Sequence, residues 1–271
     1  MIQKPLTRRG FFKAATGVDV IPSANRPHNA KELKVAVSPL IAEDGYTPTS
    51  HFYRQQLRYT PQITPVFWAL RLYGMVEKPL TLTYEQILEL PTAELPCTLA
   101  CIGSSARNAM VGHALWRGVP IANLLEQVIP TANGRYVQFH AADGYTTYIE
   151  TEKLDEALLA YQMNGEPLPQ AHGYPARLII PGTYGYKMPK WIQRIEFTDT
   201  PVPGFWEERG WSASGEMQTS STIFSPHHLQ TVEGTMILSG IAYAGNRTIT
   251  SVEISVNDSP WMPVPVAVSD R

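Results

Sequence analysis

A chain of 271 residues has room for one large domain, or for one domain and a smaller module. Hydrophobic residues make up 44% of it and charged residues only 17%, enough apolar material for a sizeable core. The net charge of -2 excludes a general nucleic-acid binder, which works through a basic face, and no apolar run nears the roughly 18 residues that a membrane-spanning helix needs.

At the N-terminus, Thr7-Arg8-Arg9-Gly10-Phe11-Phe12-Lys13 resembles a twin-arginine export signal, in which paired arginines precede a short apolar stretch. This segment predicts a periplasmic or other extracytoplasmic protein. Residues 1–49 otherwise read as an irregular arm. Trp68, Leu70 and Leu72 alternate with Ala69, Arg71 and Tyr73, the period of a half-buried strand. Thr83 caps a short helix, with Gln86 three residues on as its capping-box partner and Pro91 as its stop. A strand ends over Thr98–Cys101. Pro120 opens a helix through Leu124, Leu125 and Val128. Tyr136–His140 is a strand, followed by the turn Asp143-Gly144. Leu154–Met163 is expected to be a helix closed by Asn164-Gly165. Strands follow at Arg177–Ile180 and Trp191–Phe197. Short strands mixed with short helices predict an α+β domain over residues 50–200.

Residues 201–226, rich in Gly, Ser and Trp, read as a linker. Beyond it Met236, Leu238 and Gly240 alternate, as do Val252, Ile254 and Val256, and Asn257-Asp258 marks a turn. Residues 227–271 are therefore expected to begin an antiparallel β-sandwich. A full one needs about seven strands, and this stretch has space for three or four, so a partial module is expected. The only two cysteines, Cys97 and Cys101, would lie roughly 13 Å apart along a strand. That is too far for a disulfide, and both are read as thiols.

Chemistry concentrates in two places. Thr98-Leu99-Ala100-Cys101-Ile102-Gly103-Ser104 carries a thiol from a strand into a loop of small residues, although a buried structural cysteine has the same look. His172-Gly173-Tyr174-Pro175-Ala176-Arg177 and Tyr184-Gly185-Tyr186-Lys187-Met188-Pro189-Lys190-Trp191 set an imidazole, a guanidinium and two lysines on Gly/Pro turns. Such donors suit a phosphate-bearing ligand, which Arg grips with two parallel N–H groups and Lys meets as a point charge. Trp116, Trp191, Trp206 and Trp211 read as packing.

Together with Asp143-Gly144-Tyr145, Leu158 to Pro169, Gly112 to Pro120 and Arg209-Gly210-Trp211-Ser212, these segments resemble the sulfite oxidase family from about His51 to Trp261. The closest likeness is to its bacterial branch, whose domain opens with Phe-Tyr-Arg, here Phe52-Tyr53-Arg54. The resemblance implies a molybdopterin-binding α+β domain followed by a partial immunoglobulin-like β-sandwich. It implies an oxidoreductase that moves an oxygen atom to or from a small sulfur oxyanion or S-oxide. The implied cofactor is molybdenum–molybdopterin, with Cys101 as the one protein ligand to the metal. His172 and Arg177 fall on the pterin and its phosphate, and Lys187, Met188, Pro189 and Lys190 on the wall of that pocket. Ser50, Tyr53 and Arg54 would approach the cofactor from the N-terminal side, and Tyr145 would stand near the metal. Arg107, with Arg54 and Lys187, is expected to meet the charge of the substrate. In the family the C-terminal module makes dimers, so a partial one implies weak or absent dimerisation. Cys-x-x-Cys-His is absent, so electrons are expected to pass through a separate protein or soluble carrier.

The chain also departs from the family. Ile102-Gly103-Ser104 stands where Asn usually follows the cysteine, and Arg107-Asn108 stands where Gly-Gly is usual. From that altered loop comes a second reading, a family relic or binding module without productive cofactor chemistry.

Overall fold

The structure, a computed structural model, describes residues 19–21, 45–104, 110–225, 236–255 and 259–264. They divide into two compact units. One holds residues 46–104 and 110–217; the other, among the described residues, holds 19–21, 45, 218–225, 236–255 and 259–264. In chain order the strands are β1 (Asp19–Ile21), β2 (Ala69–Gly74), β3 (Leu80–Thr83), β4 (Ala93–Ala100), β5 (Val111–Pro120), β6 (Tyr136–Ala141), β7 (Thr146–Glu150), β8 (Leu158–Met163), β9 (Glu166–Pro167), β10 (Arg177–Ile179), β11 (Ile192–Thr198), β12 (Ser220–Ser225), β13 (Met236–Tyr243), β14 (Glu253–Ile254) and β15 (Met262–Pro263). Two α-helices intervene, α1 (Tyr84–Leu88) and α2 (Ile121–Val128).

The larger unit is mostly β, with fewer helical residues than the expected α+β domain. One sheet runs β10-β8-β5-β4 with β9 on β8, and the other runs β3-β2-β11-β6-β7. The β2–β11 pair is parallel and its neighbours are antiparallel. The expected alternation in β2 is present, with Leu70 and Leu72 fully buried and Arg71 exposed. The expected capping box is also there, since Thr83 Oγ1 accepts from Gln86 N while Gln86 Oε1 accepts from Thr83 N. Pro120 precedes α2 as expected.

Leu154–Met163 is a correction. It is a 3-10 turn (Thr151–Leu154) followed by β8, which lies between β5 and β10. A strand flanked on both edges and covered on both faces carries a continuous apolar run, and Leu158 to Tyr161 are all buried. Where β5 meets β8 the register shifts at Arg117/Gly118, and a Cβ on Gly118 would fall 2.0 Å from the Leu159 carbonyl oxygen. Only glycine permits that approach. A single hydrophobic cluster draws on both sheets and both helices, from Leu70, Phe139 and Phe197 to Trp116, Leu159 and Leu178.

In the second unit β1, β13 and β12 form an antiparallel sheet in that order, and β14 pairs with β15. Two of these strands lie where the sequence suggested irregular chain: β1 in the arm and β12 in the linker stretch. Asn257-Asp258 and the segment Thr7–Lys13 lie outside the described residues.

Candidate active site

Five stretches of the larger unit converge on a cavity of about 300 Å³: Phe52–Leu57, the loop after β4, the β6–β7 turn, the run from His172 to Trp191, and the pair Trp206 and Trp211. The thiol enters through the second of these. β4 ends at Ala100, and the loop is pinched shut by Cys101 N donating to Met110 O (2.9 Å) and Ser104 N donating to Cys101 O (3.0 Å). Cys101 is half-buried and lines the cavity. A Cβ on Gly103 would stand 4.0 Å from its Sγ and 3.5 Å from Met110 Cε, so the absent side chain keeps the space before the thiol open. Cys97, four residues earlier, is buried, and burial pushes its thiol up to about 12. It stays protonated near neutral pH and cannot offer a thiolate. Both cysteines are free, as expected.

The basic wall is built from His172, Arg177 and Lys190. Arg177 opens β10, where its guanidinium lies 5.1 Å over the Trp116 ring and donates to His172 O (3.2 Å) and Met188 O (3.3 Å). Lys190 lies 4.3 Å over Trp191 and donates to Ala171 O (2.9 Å). Phe52 meets both the Trp116 and the His172 rings edge-on. Burial lowers the pKa values here: His172 to about 4, Arg177 to about 10 and Lys190 to about 7, and neighbouring cations push His172 and Lys190 further down. The imidazole is therefore neutral at pH 7.

Whether these residues suit an anionic, acceptor-rich ligand can be judged from their unmet hydrogen bonds. His172 Nε2 and Arg177 Nε are buried without a protein partner. Leaving such groups unsatisfied costs about 1–3 kcal/mol each, and both belong to residues that line the cavity, where an acceptor-rich ligand would be their nearest source of a partner. Among the described residues no three His, Cys, Asp or Glu gather to hold a metal. The residues fit the group.

The other expected site residues divide. Tyr53, Met188 and Pro189 line the cavity. So does Tyr145, whose hydroxyl donates to Tyr186 O (2.6 Å) and whose pKa is raised by burial and then by the Glu207 charge. Ser50 is exposed and lies outside the lining. Arg54 is also exposed and outside it, yet close enough for its charge to lower His172 and Lys190. Lys187 is a correction. Its ammonium is wholly buried, paired with Glu207 and donating to Tyr148 O (2.8 Å), and it does not face the cavity. A chain of Tyr, Met and Pro around a lysine is compatible with either place. Arg107 lies outside the described residues. The tryptophans read as packing also divide: Trp116 and Trp191 are buried, Trp191 lining the cavity as well, whereas Trp206 and Trp211 are only partly buried and line it. Trp191 and Trp211 stand in segments that resemble the family, but nothing in the sequence marked Trp206.

Residues 57–206 match the model of the oxidoreductase molybdopterin binding domain, more than half of the chain. The chain belongs to the sulfite oxidase family of molybdopterin oxidoreductases. Among its relatives, the uncharacterized oxidoreductase YuiH of Bacillus subtilis is 34% identical over 151 residues, 55% of this chain and 74% of that protein. The mitochondrial sulfite oxidase of Drosophila melanogaster is 33% identical over 227 residues, 73% of this chain and 39% of that protein. The chain thus spans well under half of that sulfite oxidase. In structure it is similar to the sulfane dehydrogenase SoxCD of Paracoccus pantotrophus, with a TM-score of 0.71 and 25% identity, covering 91% of this chain and 71% of that one. The family member described here is an oxidoreductase, and its cofactor is the molybdenum-carrying pterin. No described helix is long and apolar enough to cross a membrane.

Proposed function

We propose that the chain transfers an oxygen atom to or from a small sulfur oxyanion or S-oxide, at a molybdenum bound through Cys101. One observation carries this reading: a half-buried thiol, Cys101, lines the same cavity as the buried residues His172 and Arg177, each of which keeps a polar nitrogen without a protein partner. When bound, the cofactor supplies the oxygen-atom and two-electron chemistry. The chain's part is to hold and enclose it. Arg177 and Lys190 meet the phosphate charge, His172 offers Nε2 to the pterin, and Tyr53, Met188 and Pro189 wall it off from water. In the reducing direction two protons and two electrons convert an S-oxide to the sulfide and water, the electrons coming from a separate protein or carrier. The names of the Drosophila and Paracoccus relatives denote sulfur compounds, which supports a sulfur substrate, while other relatives, such as that of Phaseolus vulgaris, are nitrate reductases.

The test compares Cys101→Ser with Cys97→Ser. A hydroxyl is hard to ionise near neutral pH, so Cys101→Ser is expected to lose one sulfur ligand by X-ray absorption and to abolish turnover, with pterin content retained. Cys97→Ser is expected to cost packing only, about 1 kcal/mol. Unchanged sulfur coordination in Cys101→Ser refutes the assignment. The antiparallel strands of the second unit support an immunoglobulin-like module, and Thr7 to Lys13 support export. Lysines at positions 8 and 9 are expected to leave the protein in the cytoplasm, and identical fractionation of variant and parent would end the export proposal.

A further inference from the structure

Trp206 and Trp211 stack with ring centroids 4.0 Å apart and planes 15° from parallel. Trp211 meets Tyr186 edge-on at 5.0 Å, and Phe205 meets Trp206 edge-on at 4.9 Å. Both tryptophans and Tyr186 face the cavity, and both tryptophans keep part of their surface open, unlike the fully buried Trp116. Tyr186 follows Gly185, whose Cα lies beside the Ala100 carbonyl, one residue before Cys101: a Cβ there would be 3.6 Å from that oxygen. The aromatic residues and the thiol loop thus line one cavity, in which the basic residues His172, Arg177 and Lys190 form another wall.

The segment carrying the two tryptophans is fastened at several points. The Glu207 carboxylate is 4% exposed, pairs with the wholly buried Lys187 and accepts from Thr147 Oγ1. A Cβ on Gly204 would fall 2.0 Å from Thr146 O and 2.9 Å from Glu207 Oε2, so this glycine lets the segment close onto β7. Tyr186 donates its hydroxyl to Ser212 O (2.7 Å), Tyr184 N donates to Gly215 O (2.8 Å), and Met217 N donates to Gly182 O (2.8 Å). Aromatic rings fixed in this way offer stacking area with little entropy left to lose on binding.

We infer that Trp206 and Trp211 are specificity-determining residues: they form a plate on which the organic body of the substrate stacks beside the thiol loop. The chain then prefers an S-oxide carrying a flat aromatic substituent to one carrying methyl groups alone. This inference rests on the oxygen-atom-transfer reading given above.

The experiment uses the full-length, cofactor-loaded protein with a reduced viologen as electron donor, and compares methyl phenyl sulfoxide with dimethyl sulfoxide. The kcat/KM ratio of the two is expected to favour the phenyl compound about tenfold, and to fall about tenfold in Trp211→Ala, mainly through KM. Trp211→Phe keeps a stacking face and should retain most of the preference. Calorimetric titration with methyl phenyl sulfide gives a second readout that needs no turnover, and its Kd is expected to rise about tenfold in Trp211→Ala. A ratio within twofold of the parent in both Trp206→Ala and Trp211→Ala overturns the inference, as does a sulfide Kd indifferent to both tryptophans. If neither sulfoxide is reduced but sulfide binding still depends on Trp211, the proposed reaction falls and the plate stands.

Discussion

His172 enters the fold as a neutral ring, its pKa lowered from 6.5 to about 4 by burial first and then by the charges of Arg177, Lys190 and Arg54. Between those two values the unfolded chain binds a proton that the folded chain does not. Stability therefore falls as pH drops from 6.5 toward 4, by up to about 3 kcal/mol for this one residue. The carboxylates titrate over part of the same window, so the measurement is a difference. In cofactor-free protein, urea unfolding at pH 6.5 and at pH 4 should show a larger loss for the parent than for His172→Gln. Parallel losses would mean that His172 binds its proton as readily in the fold as in the unfolded chain. The two cysteines make the same point about environment. The Gly/Ser loop after Cys101 was visible in the sequence and explains why that thiol has space. The burial that keeps Cys97 protonated comes from the assembled hydrophobic core, which no local pattern announces.

Among the elements, the buried Lys187–Glu207 pair joins the 3-10 turn at Gly185–Lys187 to the one at Glu207–Arg209. Burial lowers the Lys187 pKa, and the Glu207 carboxylate works against that shift. Removing one partner leaves the other charge enclosed, which costs about 3–5 kcal/mol, whereas replacing both with apolar groups is often close to neutral. Lys187→Met should therefore lower stability by that amount, and Lys187→Met/Glu207→Leu should recover most of it, as read from urea midpoints. If the double variant is no more stable than the single, the pair is not what fastens the segment. This pairing was not legible, since its members are 20 residues apart with no helical or strand spacing between them. Legibility at this scale followed periodicity and caps. β2, α1 and α2 carry local signals strong enough to place them, and the structure has them there. β8 does not, because Leu158-Leu159-Ala160 has no alternation. Strong helix formers became a strand through its two neighbours, and tertiary context overrode local preference.

At the scale of the molecule, the segments that resemble the family could be read because they are continuous in sequence, and they bring Cys101, Tyr145, His172, Arg177 and Lys190 to one cavity. What the sequence left out is what only the assembled fold creates: the inward face of Trp206 and Trp211, and the withdrawal of Lys187. Every residue of the hydrophobic cluster lies between Phe52 and Phe197, and every residue lining the cavity lies between Phe52 and Trp211. Both sets fall inside the unit of residues 46–104 and 110–217. A unit with its own core can fold alone. A polypeptide of residues 46–217 should therefore unfold in urea as one cooperative transition and retain molybdopterin when expressed where the cofactor is made. Its m-value should match exposure of about 170 residues' worth of surface rather than that of the whole chain. The hydrogen bonds from Tyr184 N to Gly215 O and from Met217 N to Gly182 O both lie within this span, so its last residues keep their partners. A non-cooperative transition, or a folded polypeptide that copurifies without pterin, would show that the core or the cavity draws on residues outside 46–217.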